Sequence, residues 1–178
     1  MKRIALLLIL LSHSVFAYTV FDPTRVDKTI IGQSEYIKAG LGNDKLEYLA
    51  RIDTGARVTS LHAFNTHVIN GVDDMKANNG KYIQFSTANE DGIEVRHQAK
   101  IINVSRIKQA SGSELRYSVV MDISFNNETR AVPVTLRDRD HMTYKLLIGR
   151  NWISHCCVVD VTQDAHSRLL EQSEAMEL

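Results

Sequence analysis

The sequence predicts an all-β fold, either a barrel or a sandwich. About ten short segments have the alternating or β-branched patterns of strands. Gly, Asn and Asp fall between these segments at short intervals, which is the pattern of tight turns between neighbouring strands. Strand-like and helix-like stretches do not alternate, so a parallel α/β arrangement is excluded.

The composition is that of one globular domain. The 178 residues are 44% hydrophobic and 24% charged, and 21 Lys and Arg balance 21 Asp and Glu. A chain of this length can bury a core without help from disulfides or metals. Its neutral balance gives no electrostatic support for a nucleic-acid partner. Two cysteines and two prolines exclude a disulfide miniprotein and a Pro-rich linker protein.

The first 17 residues have the order of a secretory signal peptide. Lys2 and Arg3 precede an apolar run at 4–11, and Ala17 stands before a possible cleavage site. The run is too short to cross a bilayer readily, and no second apolar stretch supports it. We therefore expect an exported protein, periplasmic or secreted, with no membrane contact after cleavage. A retained anchor is the alternative.

The rest of the chain is predicted to consist of strands and turns. Residues 18–32 are expected to form a loose arm, and 163–178 a polar C-terminal tail. Residues 151–155 are expected to form one helical turn. The predicted strands cover residues 34–38, 46–52, 58–63, 81–87, 93–104, 118–125, 129–136, 145–148 and 156–161.

Three local features refine this prediction. Pro133 lies within a predicted strand, which is therefore expected at an edge or a bulge. Residues 107–117 carry a Gly-Ser tip between apolar and polar flanks, which predicts a long hairpin. The polar stretch at 67–101 contains its own turn signals, so we expect it to form an extra hairpin.

The segment most informative about chemistry is 49–56 (LARIDTGA), where an apolar strand ends in an acid, a hydroxyl and a glycine. Gly55 lets the backbone turn where a side chain would clash, and the Thr54 hydroxyl can hold the loop by hydrogen bonds. Asp53 would then be fixed at a strand end and face a cleft. A lone Asp-Thr-Gly is also found in ordinary turns, where the acid only bonds the backbone.

A second block, 146–151 (LLIGRN), follows downstream, and the two blocks together resemble the retropepsins, the aspartic peptidases of the retroviral type. The blocks 51–57 (RIDTGAR), 136–142 (LRDRDHM) and 147–150 (LIGR) resemble more closely a bacterial retropepsin-like family often called ATP-dependent zinc proteases. The resemblance extends over about 47–160.

This resemblance implies a small closed β-barrel of the retropepsin type over 33–162, with one short helical turn and the extra hairpin. It also implies an aspartic endopeptidase, in which two carboxylates share a proton around one water molecule. The chain has a single Asp-Thr-Gly. Asp53 would therefore meet the Asp53 of a second copy in a homodimer that binds a peptide or protein substrate.

The same resemblance implies roles for the neighbouring residues. Thr54 would brace the two loops across the dimer axis, Gly55 would offer backbone groups to the substrate, and Ala56 would complete the active-site loop. The tip of the long hairpin would close over the peptide as a flap. This flap tip is Ala110, Ser111, Gly112 and Ser113.

One position departs from the viral pattern. Viral retropepsins usually have an acid directly after Asp-Thr-Gly-Ala, where it can pair with the Arg of Gly-Arg. This chain has Arg57 there, and Arg150 is also basic. We therefore expect Asp138 or Asp140 to pair with one of these arginines, so that Arg57, Asp140, Gly149 and Arg150 support the site.

The residues support neither zinc nor ATP, so no cofactor is expected. The sequence has no His-Glu-x-x-His motif and no phosphate-binding Walker loop. A metal site at 155–160, from His155, the two cysteines and Asp160, is an alternative. Adjacent Cα atoms lie about 3.8 Å apart, which is short for a disulfide. Cys156 and Cys157 are therefore expected to be thiols on opposite faces of a strand.

Two other functions remain open at this point. The first is a non-catalytic peptide-binding or sensor protein on the same scaffold, in which Asp53 would be a turn residue or a ligand contact. The second is a thiol-based redox protein that uses Cys156 and Cys157, although the sequence lacks a Cys-x-x-Cys motif.

Overall fold

The computed structural model describes residues 28–109 and 112–165, and most of these residues lie in strands. This confirms the predicted all-β class. In the described ranges one 3-10 turn lies at Met75–Asn78 and one helix, α1, at Arg150–Cys156. The strands are β1 (Thr29–Ile31), β2 (Ser34–Leu41), β3 (Asp44–Ile52), β4 (Thr59–His62), β5 (Phe64–Val68), β6 (Tyr82–Ala88), β7 (Glu94–Lys100), β8 (Asn103–Gln109), β9 (Gly112–Phe125), β10 (Glu128–Arg137), β11 (Leu146–Ile148) and β12 (Cys157–Val159).

Six strands of the main sheet are bonded in a closed ring. The order of neighbours is β10-β4-β11-β3-β2-β9, and β9 pairs again with β10. β8 is attached to the outside of this ring through β9. The expected closed arrangement is therefore confirmed, although the pairs β4–β10 and β3–β11 are parallel, so the ring is not a regular antiparallel barrel.

The core fills the inside of this ring because the strands alternate. Along β3, Tyr48, Ala50 and Ile52 are buried, and along β10 Val132 and Val134 are buried on either side of an exposed proline. Successive side chains of a strand point to opposite faces, so each strand presents one apolar row to the centre. Other fully buried members of the core are Ile37, Leu61, Val119, Met121, Ile123, Leu146 and Ile148.

Pro133 lies where the prediction allowed it. Residues 128–133 of β10 pair with β9 alone, and the pairing with β4 begins only at Val134. The first half of β10 is thus an edge on its β4 side. A residue without an N–H group is tolerated at such a position.

The stretch expected to be an extra hairpin forms a larger element, the antiparallel sheet β5-β6-β7. Several polar contacts fasten it to the ring. The Tyr48 hydroxyl bonds the Thr87 hydroxyl at 2.9 Å, and burial raises the pKa of Tyr48 to about 12. The Glu90 carboxylate accepts from the amides of Leu49 and Lys145.

The expectation of a loose arm at 18–32 is wrong for its last residues. β1 pairs in parallel with β12, with Ile30 opposite Val158, and Ile31 is fully buried. The start of the expected tail is also bonded to this region, since the amide of Ala165 donates to the Ser34 hydroxyl. The expected signal peptide and most of the arm lie outside the described residues. Within the described residues no helix is long and apolar enough to span a membrane.

The expectation of two free thiols is also wrong. Cys156 and Cys157 are joined by a disulfide, with their Cα atoms 3.7 Å apart. The expectation placed both residues in one strand, whereas α1 ends at Cys156 and β12 begins at Cys157. The alternation of a strand therefore does not separate their side chains.

His97 is expected to make stability depend on pH. The side chain is buried on β7 beside Phe85, its Nε2 has no hydrogen-bond partner among the described residues, and burial lowers its pKa. Burial also lowers the pKa of His62. In the unfolded chain each of these two histidines binds a proton below about pH 6.5, whereas burial disfavours that protonation in the folded protein. Stability present above that pH is therefore lost as the pH falls toward the lowered, folded-state pKa.

Melting curves between about pH 7.5 and about pH 5 check this prediction. The melting temperature of the natural protein is expected to fall toward acid pH. His97→Gln stays neutral throughout, so its fall is expected to be shallower. Parallel curves for the two proteins would contradict the assignment to His97.

Candidate active site

Asp53 is the first residue after β3 and is held by the loop that follows it. Its amide donates to the carbonyl of Ile148, which continues the parallel pairing of β3 with β11. Its Oδ1 accepts from the amides of Gly55 and Ala56, at 2.9 and 3.1 Å. A Cβ at Gly55 would lie 3.1 Å from this same oxygen. The glycine therefore leaves room for the backbone to wrap around the carboxylate.

The start of α1 is hydrogen-bonded to this loop. The amide of Arg150 donates to the carbonyl of Ala56, and its guanidinium donates to the carbonyl of Thr54 at 3.0 Å. Gly149 lies against β4 so closely that a Cβ would be 2.6 Å from the carbonyl carbon of Val58. The two blocks that carry the retropepsin resemblance are therefore in direct contact.

Asn151 is a supporting residue that the sequence prediction did not single out. Its Oδ1 accepts from both the amide and the hydroxyl of Thr59, each at 2.9 Å, and its Nδ2 donates to the carbonyl of Pro133 at 2.8 Å. The Thr59 hydroxyl in turn accepts from the amide of Gly149. One side chain thus ties α1, β4 and β10 together beneath the Asp53 loop.

A cleft of about 1070 Å³ opens beside the loop. Gly55, Ala56 and Arg57 form one wall, and the β8–β9 hairpin and the β10–β11 connection form the others. Among the described residues that line it, none is acidic and six are arginines. These are Arg51, Arg57, Arg106, Arg116, Arg137 and Arg139.

Arg139 is the most enclosed of the cations near Asp53. It is 6% exposed, and its Nε donates to the carbonyl of Tyr144. Burial lowers its pKa, and the charges of Arg137 and Arg116 act in the same direction, while Asp53 opposes them. The cleft therefore has a concentrated positive charge close to the candidate catalytic acid.

The expected pairing of Asp138 or Asp140 with Arg57 or Arg150 is not found. Asp140 lies 3.5 Å from the ammonium of Lys145, and Asp138 lies 3.6 Å from the His62 ring. Residues 137–140 alternate Arg, Asp, Arg, Asp, and the arginines line the cleft while the aspartates line a separate groove of about 500 Å³. The chain leaves β10 at Arg137 and turns at Asp140, and this turn directs the acids to the separate groove, so they do not reach these arginines.

The long hairpin expected at 107–117 extends over Asn103–Gln109 and Gly112–Phe125. Ala110 and Ser111, the first half of the expected flap tip, lie outside the described residues. Gly112 opens β9 with φ +130°, a conformation that suits glycine. The hydroxyl of Ser113 accepts from the Arg106 guanidinium across the hairpin.

No metal cluster is found in the described part of the chain, where no group of three or more His, Cys, Asp or Glu is arranged to hold an ion. At the alternative metal site, Cys156 and Cys157 are joined in the disulfide, so neither offers a thiolate. The Asp160 carboxylate accepts from both the amide and the hydroxyl of Thr162, and these bonds lower the pKa of Asp160.

Comparisons with known proteins agree with this fold. The model of the RimB-like family, described as "Retropepsin-like aspartic endopeptidase RimB", matches residues 30–168. A crystal structure of a Legionella pneumophila protein of unknown function is similar, with a TM-score of 0.59 and 28% identity over 76% of this chain and 95% of that one.

Two longer relatives are each named probable alpha-L-glutamate ligase. The protein of Shewanella pealeana is 31% identical over 142 residues, which is 77% of this chain and 29% of its own length. The protein of Parasynechococcus marenigrum is 28% identical over 138 residues, which is 75% of this chain and 28% of its own length. This chain therefore spans less than a third of these relatives.

Asn151→Ala is expected to lower the free energy of unfolding by about 2–3 kcal/mol, because it leaves the Thr59 amide and hydroxyl without their acceptor. Asn151→Asp is the matched control. It keeps the acceptor for Thr59 but places a second acceptor oxygen against the Pro133 carbonyl, so a smaller loss of about 1–2 kcal/mol is expected. Urea denaturation measures both values. An alanine variant as stable as the natural protein would show that Asn151 does not hold the loop.

Proposed function

We propose that this protein hydrolyses peptide bonds with water activated by two Asp53 carboxylates. The chain belongs to the RimB-like family of retropepsin-like aspartic endopeptidases. The observation that carries the proposal is the placement of Asp53. Its carboxylate is fixed at the end of β3 by two backbone amides, beside a cleft large enough for an extended peptide.

The loop geometry suits this chemistry. Oδ1 of Asp53 is engaged by the amides of Gly55 and Ala56, so Oδ2 is the oxygen that would face water. In a pair of such carboxylates, one takes a proton from the water while the other, protonated, polarises the scissile carbonyl. Rigid placement reduces the reorganisation that the reaction needs.

The second carboxylate would come from a second copy of the chain. The sequence has one Asp-Thr-Gly, and Thr54 and Gly55 at the tip of the loop are exposed. An exposed loop tip is accessible to the same loop of a symmetry-related copy. The active form would therefore be a homodimer with its cleft on the two-fold axis.

The charge of the cleft favours an acidic peptide as substrate. Arg116 and Arg139 are both largely buried, so solvent screens their charges weakly. Guanidinium groups bind carboxylates in a two-pronged geometry. The longer relatives are named for a ligase of L-glutamate, which fits a domain that handles glutamate-rich chains.

We also propose that the protein is exported. The support is the order of basic, apolar and small residues in the first 17 positions, which lie outside the described structure.

Asp53→Asn is expected to fold and dimerise like the natural protein but to cleave nothing, because an amide cannot act as the base. Excess Asp53→Asn mixed with the natural protein is expected to suppress its cleavage through mixed dimers. Peptide-library digestion across pH and sedimentation measure these outcomes. A natural protein that remains monomeric while it cleaves would contradict the shared dyad, and full activity of Asp53→Asn would remove Asp53 from the mechanism.

Arg57→Gln is expected to lower kcat/KM for a glutamate-rich peptide about threefold to tenfold, because it removes one charge-assisted contact at an exposed site. Arg130→Gln is the matched control, since Arg130 is an exposed arginine of β10 outside the cleft. An uncharged peptide is expected to be cleaved equally by all three proteins. Equal losses for both variants would point to net charge and not to the cleft.

A further inference from the structure

Glu114, at the beginning of β9, sits against two of the cleft arginines. Its Oε1 accepts from Nε of Arg116 at 2.9 Å, and its Oε2 accepts from the Nη2 of Arg116 at 3.2 Å. Nε of Arg137 lies 3.5 Å from the same Oε2. Arg116 and Arg137 line the cleft, whereas Glu114 does not.

This contact has the geometry of ligand recognition. Two parallel bonds from a guanidinium to a carboxylate are the arrangement in which arginine binds acidic side chains. The Arg116 side chain is 7% exposed and that of Glu114 is 37% exposed. A buried guanidinium strongly favours an anionic partner, while the more exposed carboxylate can leave it and be hydrated.

The contact also links the hairpin to the ring. Backbone pairing between β9 and β10 ends at Ser118, opposite Thr135. Beyond that point the Glu114–Arg137 ion pair still joins the two strands. Whatever replaces Glu114 at these arginines therefore also changes how the hairpin is held over the cleft.

We propose that Glu114 occupies, in the substrate-free protein, the place of a substrate carboxylate, and that an acidic peptide binds by exchanging with it. The inference rests on the proposed function, since it assumes an acidic peptide in this cleft. In the exchange, one carboxylate replaces another at Arg116 and Arg137, so the buried charge keeps a partner throughout. The departure of Glu114 releases the base of the hairpin from β10.

The experiment measures the affinity of a labelled hexaglutamate peptide by fluorescence anisotropy, in the Asp53→Asn protein so that nothing is cleaved. Adding Glu114→Gln removes the internal competitor, and the peptide is expected to bind about tenfold more tightly. Glu128→Gln removes the same charge from an exposed site on β10 and is expected to leave the affinity unchanged. A hexaglutamine peptide is expected to bind weakly to all three proteins.

Unchanged or weaker hexaglutamate binding by Glu114→Gln, in a protein that melts like its parent, would overturn the inference, because Glu114 would then only position the arginines. Should that variant melt more than about 5 °C lower, Glu114→Asp replaces it. Glu114→Asp keeps the charge but shortens the side chain, so hexaglutamate is expected to bind more tightly than to the parent protein but less than tenfold more tightly. An unchanged affinity would overturn the inference. A parent protein that binds both peptides equally overturns the proposed substrate class as well, which separates the two failures.

Discussion

The close approach of Gly149 to β4 is the contact on which the site depends. Any larger residue would place a Cβ 2.6 Å from the Val58 backbone, so the start of α1 could not lie where it does. From that position Arg150 reaches the carbonyls of the Asp53 loop, and Asn151 reaches β4 and β10. The carboxylate is thus held by a short chain of backbone and side-chain bonds instead of by hydrophobic burial.

A second theme of the structure is the separation of charge. A chain with equal numbers of acids and bases nevertheless presents a cleft lined by six arginines and no acid among the described lining residues. The turn at 137–140 contributes by directing its acids to a separate groove. Desolvation of cations is costly unless they meet an anion, and Glu114 is such an anion for Arg116 and Arg137.

Local patterns were sufficient to predict most strands and the hairpin around Gly112, because alternation and turn residues act over a few positions. The link between Asp53 and Gly149 came instead from the resemblance to a known family, since the two residues are far apart in the sequence. Local patterns were insufficient for the β1–β12 pairing, which joins distant short strands. They also missed the arginine cleft, whose members come from separate strands and connections. The partners assumed for Asp140 were wrong because spatial neighbours of a charge are set by tertiary packing.

The parallel pairing of β1 with β12 brings the two ends of the described fold side by side. A domain whose entry and exit lie at one edge can be built into a larger polypeptide without opening its interior. The curated relatives, in which the matched region makes up 28–29% of the chain, are consistent with such modular use. The same architecture can therefore be accommodated as one module of a longer polypeptide.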